Sequence, residues 1–341
     1  MSLSANTAVR MADRRRYLAD NRHRLTIDAD VHPTDRAALP NDIKEQIKTD
    51  PNYFHGRPIL SENLLATMTR AHVDMALCWQ NPAMLSYGDD PAENAARLTA
   101  ANDRIAALAD THPTRVIPGG WTDPKALGVQ AACRLAEHCV LNLAMPVVKM
   151  NPAQNAYPID SDMVIEVVDV IVGLGAVPAF HFGADTPFTP TEGLVKIAER
   201  HPDHPVIAVH MGGGGGHFVV SEDTYQSARA AGLSHPNIFY PISAKRDAHL
   251  VSDLITYAEA GPPFCHNLAL ATDTPYCDMT WVMGGWRATL DALASGANQG
   301  DPRLAANPDL FDGEMIQAIR GGNFANLMIA AYDRILAGLD L

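Results

Sequence analysis

The sequence predicts one (β/α)8 TIM barrel with an insertion after the first strand and extra helices at the termini. Three observations carry that prediction. Eight short apolar, β-rich segments recur along the 341 residues, stretches with helical apolar spacing lie between them, and acidic, basic and imidazole side chains collect at the segments' carboxyl ends. Strands separated by helices pair in parallel, because a parallel neighbour needs a crossover, and eight such units suffice to close a barrel. An open doubly wound sheet is the structural alternative.

The predicted strands span residues 25–31, 73–79, 115–121, 145–150, 177–182, 206–211, 237–243 and 268–274. Apolar residues at helical spacing predict helices over 93–111, 162–174, 192–200, 221–231, 250–260 and 281–294. Pro33, Pro40, Pro51 and Pro58 break up residues 33–72, which therefore read as an insertion after the first strand. Its His55 can belong to a lid over the barrel mouth, and its Arg57 is a cation available to a substrate carboxylate. Residues 313–339 read as one more helix, interrupted near Gly321-Gly322-Asn323. The expected organisation is an N-terminal arm or helix over 1–24 and one barrel domain over 25–341.

Composition excludes several classes of function. The chain is 47% apolar and 19% charged, as in a globular protein with a sizeable core. Its 39 acidic against 26 basic residues give a net charge of −13, which disfavours nucleic acid and anionic membranes as partners. No apolar run reaches the ~18 residues of a membrane span. Arg14, Arg15 and Arg16 lead into Tyr17-Leu18-Ala19-Asp20 rather than into the apolar stretch of an export signal, so a cytoplasmic protein is expected. Five cysteines, an odd number with no CxxC pair, predict reduced thiols rather than a disulfide scaffold or zinc ribbon.

In a barrel, the active site is built where strands run out into the following loops. Strand 1 ends Asp30-Val31-His32, and residues two apart on a strand face the same way. Strand 4 ends at Lys149-Met150, strand 5 at His181, strand 6 at His210 and strand 8 at Asp273. A lone His after an apolar run is more often a satisfied core side chain, and a lone Asp before Thr-Pro more often starts a turn. Their coincidence at one end of one barrel points to a metal site. Imidazole and carboxylate suit zinc, iron or manganese.

Around these residues lie candidates for substrate contact. Lys245 and Arg246 follow strand 7 and suit an anionic substrate, although a basic pair there can equally be a solvated loop. Trp79, Trp121 and Tyr276 sit at strand ends and suit a flat substrate or a barrel plug. The glycine run 212–216 permits close backbone approach and brings His217 toward the pocket. His201-Pro202-Asp203-His204 lies at a helix-to-strand connection, the opposite end of the barrel, and reads as a cap and turn.

As a set, these motifs resemble the amidohydrolase superfamily, in the branch holding both metal-dependent hydrolases and non-oxidative decarboxylases. The matching pieces are Ile27-Asp28-Ala29-Asp30-Val31-His32, Val148-Lys149-Met150-Asn151-Pro152, Phe180-His181-Phe182-Gly183, Val209-His210-Met211-Gly212-Gly213, Thr272-Asp273-Thr274-Pro275 and Gly322-Asn323-Phe324-Ala325. The resemblance implies metal ligands at Asp30, His32, His181 and Asp273, and a substrate-orienting or acid/base role for His210. It implies one divalent metal, with zinc the first expectation and manganese or iron as alternatives. A second metal is implied if Lys149 is carboxylated; otherwise Lys149 contacts an anionic substrate or a neighbouring carboxylate. Members are usually homodimers or larger. Many have His-x-His on strand 1, where this chain has Asp30-x-His32.

Two chemistries use the same residues. In a hydrolase, a metal-activated water attacks a small carboxylated or cyclic substrate, and Asp273 or His210 moves the proton. In a decarboxylase, the substrate is a small aromatic or unsaturated acid, and Asp273 or His210 delivers a proton to the carbon that loses carbon dioxide. The expectation is hydrolysis, the commoner chemistry of the superfamily, with decarboxylation the alternative. A metal-binding barrel without catalysis is a third reading, opposed by the complete set of site residues.

Overall fold

A computed structural model describes residues 3–49, 60–85, 87–183, 186–213, 222–243, 247–296 and 301–338. Eight parallel strands run in chain order: β1 (Ile27–Val31), β2 (Met75–Cys78), β3 (Val116–Trp121), β4 (Val147–Met150), β5 (Val177–His181), β6 (Val206–Val209), β7 (Ile238–Ile242) and β8 (Leu268–Leu270). Each lies within a predicted segment. All but His181 of their residues are buried, because helices cover the outside and side chains fill the inside; such strands read as apolar runs rather than as alternation. The fold is a TIM barrel.

The seam between β8 and β1 closes just beyond the ladder. The His32 amide donates to the Thr274 carbonyl at 2.7 Å, and the Asp273 amide donates to the Asp30 carbonyl at 3.0 Å. One step deeper, the Asp28 carboxylate accepts from the Thr272 amide at 3.0 Å and its hydroxyl at 2.6 Å. The residues that close the barrel therefore adjoin those expected to do its chemistry.

Helices Pro91–Thr111, Asp162–Gly173, Thr191–Arg200, Glu222–Ser234, Asp247–Ala260 and Met279–Ala294 correspond to the predicted ones. Two carry sequence-legible starts: Asp90 caps the Ala92 amide ahead of Pro91, and Asp278 caps the Trp281 amide. Helices Leu64–Ala71 and Val129–Leu141 complete the crossovers and were not anticipated. In the second, Ala132, Leu135, Ala136, Cys139 and Val140 form a buried face at helical spacing, a signal present in the sequence. The insertion contains helix Asn41–Thr49, and its residues 50–59, with His55 and Arg57, lie outside the described residues.

At the amino end, helix Ala5–Asn21 packs on helix Asn323–Ala337, with Arg15 forked onto Asp333 at 2.9 and 3.0 Å. The interruption at Gly321-Gly322 is a π-helical turn, Ala318–Gly322. A Cβ on Gly321 would lie 2.3 Å from the Leu25 carbonyl oxygen, so the turn presses backbone to backbone under β1. His201 and His204 sit below the barrel, against Asp169 and the Ala176 carbonyl, as a cap and turn. All five cysteines are free thiols, and no helix among the described residues is long and apolar enough to cross a membrane.

Asn323 ties this base together by donating to the buried carbonyls of Cys265 and Leu268 at 3.0 and 2.9 Å. Asn323→Ala removes both bonds and leaves two acceptors unpaired, at an expected cost of ~2–4 kcal/mol. Urea unfolding should show a lower midpoint at an unchanged slope.

Candidate metal centre

Three side chains from the seam converge. One ligand atom each from Asp30, His32 and Asp273 lie within 4.8 Å of one another, and all three residues are buried. His32 Nε2 is 3.3 Å from Asp30 Oδ1 and 3.6 Å from Asp273 Oδ1. The other ring nitrogen, Nδ1, is 2.9 Å from the Gln80 carbonyl oxygen. A carbonyl only accepts, so Nδ1 carries the proton. Burial pushes the pKa of His32 down, which keeps the ring neutral and leaves the lone pair on Nε2.

Two carboxylates and an imidazole lone pair thus face one point. Burial works against ionisation of Asp30, but the Lys149 ammonium outweighs it and holds that carboxyl well below the usual range. Asp273 moves the opposite way, raised by burial and by the charge of Asp30. A divalent cation relieves this repulsion and gives the His32 lone pair a partner, so the donor set fits a metal with imidazole and carboxylate ligands.

The surroundings hold Asp30 in place. Trp79 Nε1 donates to its Oδ1 at 2.7 Å, and Lys149 Nζ lies 3.3 Å from the same oxygen. Lys149 is 1% exposed, and its ammonium sits 4.4 Å from the Trp79 ring centre and 5.3 Å from that of Trp121. Of its three expected roles, the one seen in this structure is contact with a neighbouring carboxylate. Tyr276 donates to Asn81 at 2.8 Å and sets its ring edge-on to His32, 5.9 Å between centres.

His181 and His210 form a second group. His210 Nε2 is 3.1 Å from His181 Nδ1, and His210 Nδ1 is 2.7 Å from Ser243 Oγ. The Ser243 hydroxyl donates in turn to Asp30 Oδ2 at 3.3 Å. His181 is therefore not part of the three-residue convergence; it is joined to Asp30 through His210 and Ser243. His210, Met211 and Asp273 have φ of 78°, 49° and 59°, a left-handed conformation that non-glycine residues seldom adopt. His217, Lys245 and Arg246 lie outside the described residues.

The family profile described as Amidohydrolase matches residues 27–306. The chain belongs to the amidohydrolase family. A search of curated proteins finds no match to this amidohydrolase. Solved structures that share its fold include 5-carboxyvanillate decarboxylase from Sphingomonas paucimobilis, at 17% identity and TM-score 0.58, covering 89% of this chain and 98% of that one. A dihydroxybenzoic acid decarboxylase from a Polaromonas species, with bound manganese and the inhibitor 2-nitroresorcinol, matches at 14% identity and TM-score 0.59, covering 89% and 96%. 2,6-Dihydroxybenzoate decarboxylase from Rhizobium matches at 14% identity and TM-score 0.56, covering 78% and 92%.

Ser243 and Gln80 went unnoticed in the sequence of this amidohydrolase. Serine is common at strand ends, and Gln80 contributes a backbone carbonyl, which no side-chain motif encodes. The sequence marks Trp79 only as an aromatic at a strand end, whereas its N–H is what reaches Asp30. Trp79→Phe keeps a ring and removes that donor. It should weaken divalent-cation binding at this centre by ~10-fold or more, measured by calorimetric titration of chelator-treated protein.

Proposed function

We propose that this amidohydrolase is a metal-dependent non-oxidative decarboxylase of a small aromatic carboxylic acid. The observation that carries the reading is the convergence of Asp30, His32 and Asp273 beside three aromatic rings. Trp79, Trp121 and Tyr276 place their rings 6.5, 6.2 and 5.9 Å from that of His32. Trp79 and Trp121 are buried and hold Lys149 and Asp30 in place, whereas Tyr276 is partly exposed and suits a flat ring seated over Asp30, His32 and Asp273. The decarboxylases of hydroxylated benzoates among the similar folds lend support as analogy. The hydrolytic expectation has no comparable observation behind it and becomes the second reading.

A divalent cation bound by Asp30, His32 and Asp273 would supply Lewis acidity toward the substrate's oxygens. Manganese is the first metal to test, since two carboxylates lean toward a hard ion, and zinc is the second. Lys149, engaged with Asp30 and two indoles, fits a single-metal site. Loss of carbon dioxide leaves an electron pair on the ring carbon, which must take up a proton. The Asp273 side chain is 12% exposed and that of Asp30 is 0%, so Asp273 is the carboxyl group nearer the mouth. His210 is 1% exposed with both ring nitrogens engaged, so it acts through His181 and Ser243 rather than by direct contact.

Carbon dioxide release from a panel of hydroxybenzoates should depend on manganese or zinc and vanish on chelation. His210→Ala should lower kcat by ~10–100-fold, the effect of a side chain that acts through its neighbours. Incorporation of labelled oxygen from water into the products of lactones or amides, without carbon dioxide release from any acid, would instead establish the hydrolase.

A further inference from the structure

We propose that Ser243 is a positioning residue that fixes the tautomers of both His210 and His181. The argument follows the direction of three hydrogen bonds. The Ser243 hydroxyl donates to Asp30 Oδ2, 3.3 Å away. With its proton committed, Ser243 Oγ accepts from His210 Nδ1 at 2.7 Å. A neutral His210 protonated at Nδ1 has its lone pair on Nε2. That nitrogen accepts across 3.1 Å from His181, whose Nδ1 must then carry the proton. The lone pair of His181 is left on Nε2.

Every donor in this series points toward Asp30. One serine hydroxyl, set by one carboxylate, thereby determines which nitrogen is basic on two histidines contributed by β5 and the end of β6. Without it, His210 can take its proton at either nitrogen, and His181 loses its instruction. The same series would leave His181 Nε2 in the form that ligates a cation, although His181 stands outside the Asp30, His32 and Asp273 convergence. Asp273 faces His32 instead and takes no part in it. The inference deepens the decarboxylase reading and rests on it only for the use made of the tautomers; the tautomers themselves can be read without turnover.

The test is nitrogen-15 NMR of histidine-labelled, chelator-treated protein, with His181→Gln and His210→Gln used to assign the two rings. Both histidines should be Nδ1–H tautomers in the unaltered protein. Ser243→Ala should move His210 toward a mixture containing Nε2–H, whereas Ser243→Thr, which keeps the hydroxyl, should restore the original pattern. Manganese affinity should fall by ~10-fold in Ser243→Ala and recover in Ser243→Thr. An Nε2–H tautomer at His210 in the unaltered protein would overturn the proposal, and that reading is decisive even if Ser243→Ala does not fold. Unchanged tautomers in a folded Ser243→Ala variant would overturn it as well. Absence of carbon dioxide release with the expected tautomers would overturn the decarboxylase reading and leave the role of Ser243 standing.

Discussion

The burial of one charge, that of Asp30, organises the carboxyl end of this barrel. A fully buried carboxylate is costly unless every lone pair finds a partner. Here the partners come from around the ring: Trp79 after β2, Lys149 on β4 and Ser243 after β7. Each gives up conformational freedom to serve that carboxylate.

The histidines illustrate the same economy. His32 and His210 are both buried, both have depressed pKa values with burial the largest cause, and both have one nitrogen committed to a fixed partner. They differ in what the other nitrogen meets. For His32 it is a pair of carboxylates, an arrangement suited to a cation. For His210 it is a second imidazole, an arrangement suited to conveying hydrogen-bond direction.

The fold was legible because parallel strands covered on both faces are written as short apolar runs, and all eight were. Helices were legible where caps or length announced them, as in Pro91–Thr111, and escaped where the apolar face was built of alanine and cysteine, as in Val129–Leu141. In the site, Asp30, His32 and Asp273 stood out because ionisable side chains at strand ends are rare among buried residues. The links between them did not stand out. That Lys149 binds Asp30 rather than solvent, or that Ser243 joins His210 to Asp30, depends on register across strands far apart in sequence.

The seam has a consequence for the history of each molecule. Asp30 and Asp273 are 243 positions apart in the chain (273 − 30), yet the amide of one bonds the carbonyl of the other. At ~5–20 residues per second, a ribosome needs on the order of 10 s or more to make the second after the first. Throughout that interval the emerging half-barrel has a buried-type carboxylate with no seam to hold it. The candidate metal centre is thus among the last parts of the protein to come into being, because Asp30 and His32 meet Asp273 only once the seam has closed.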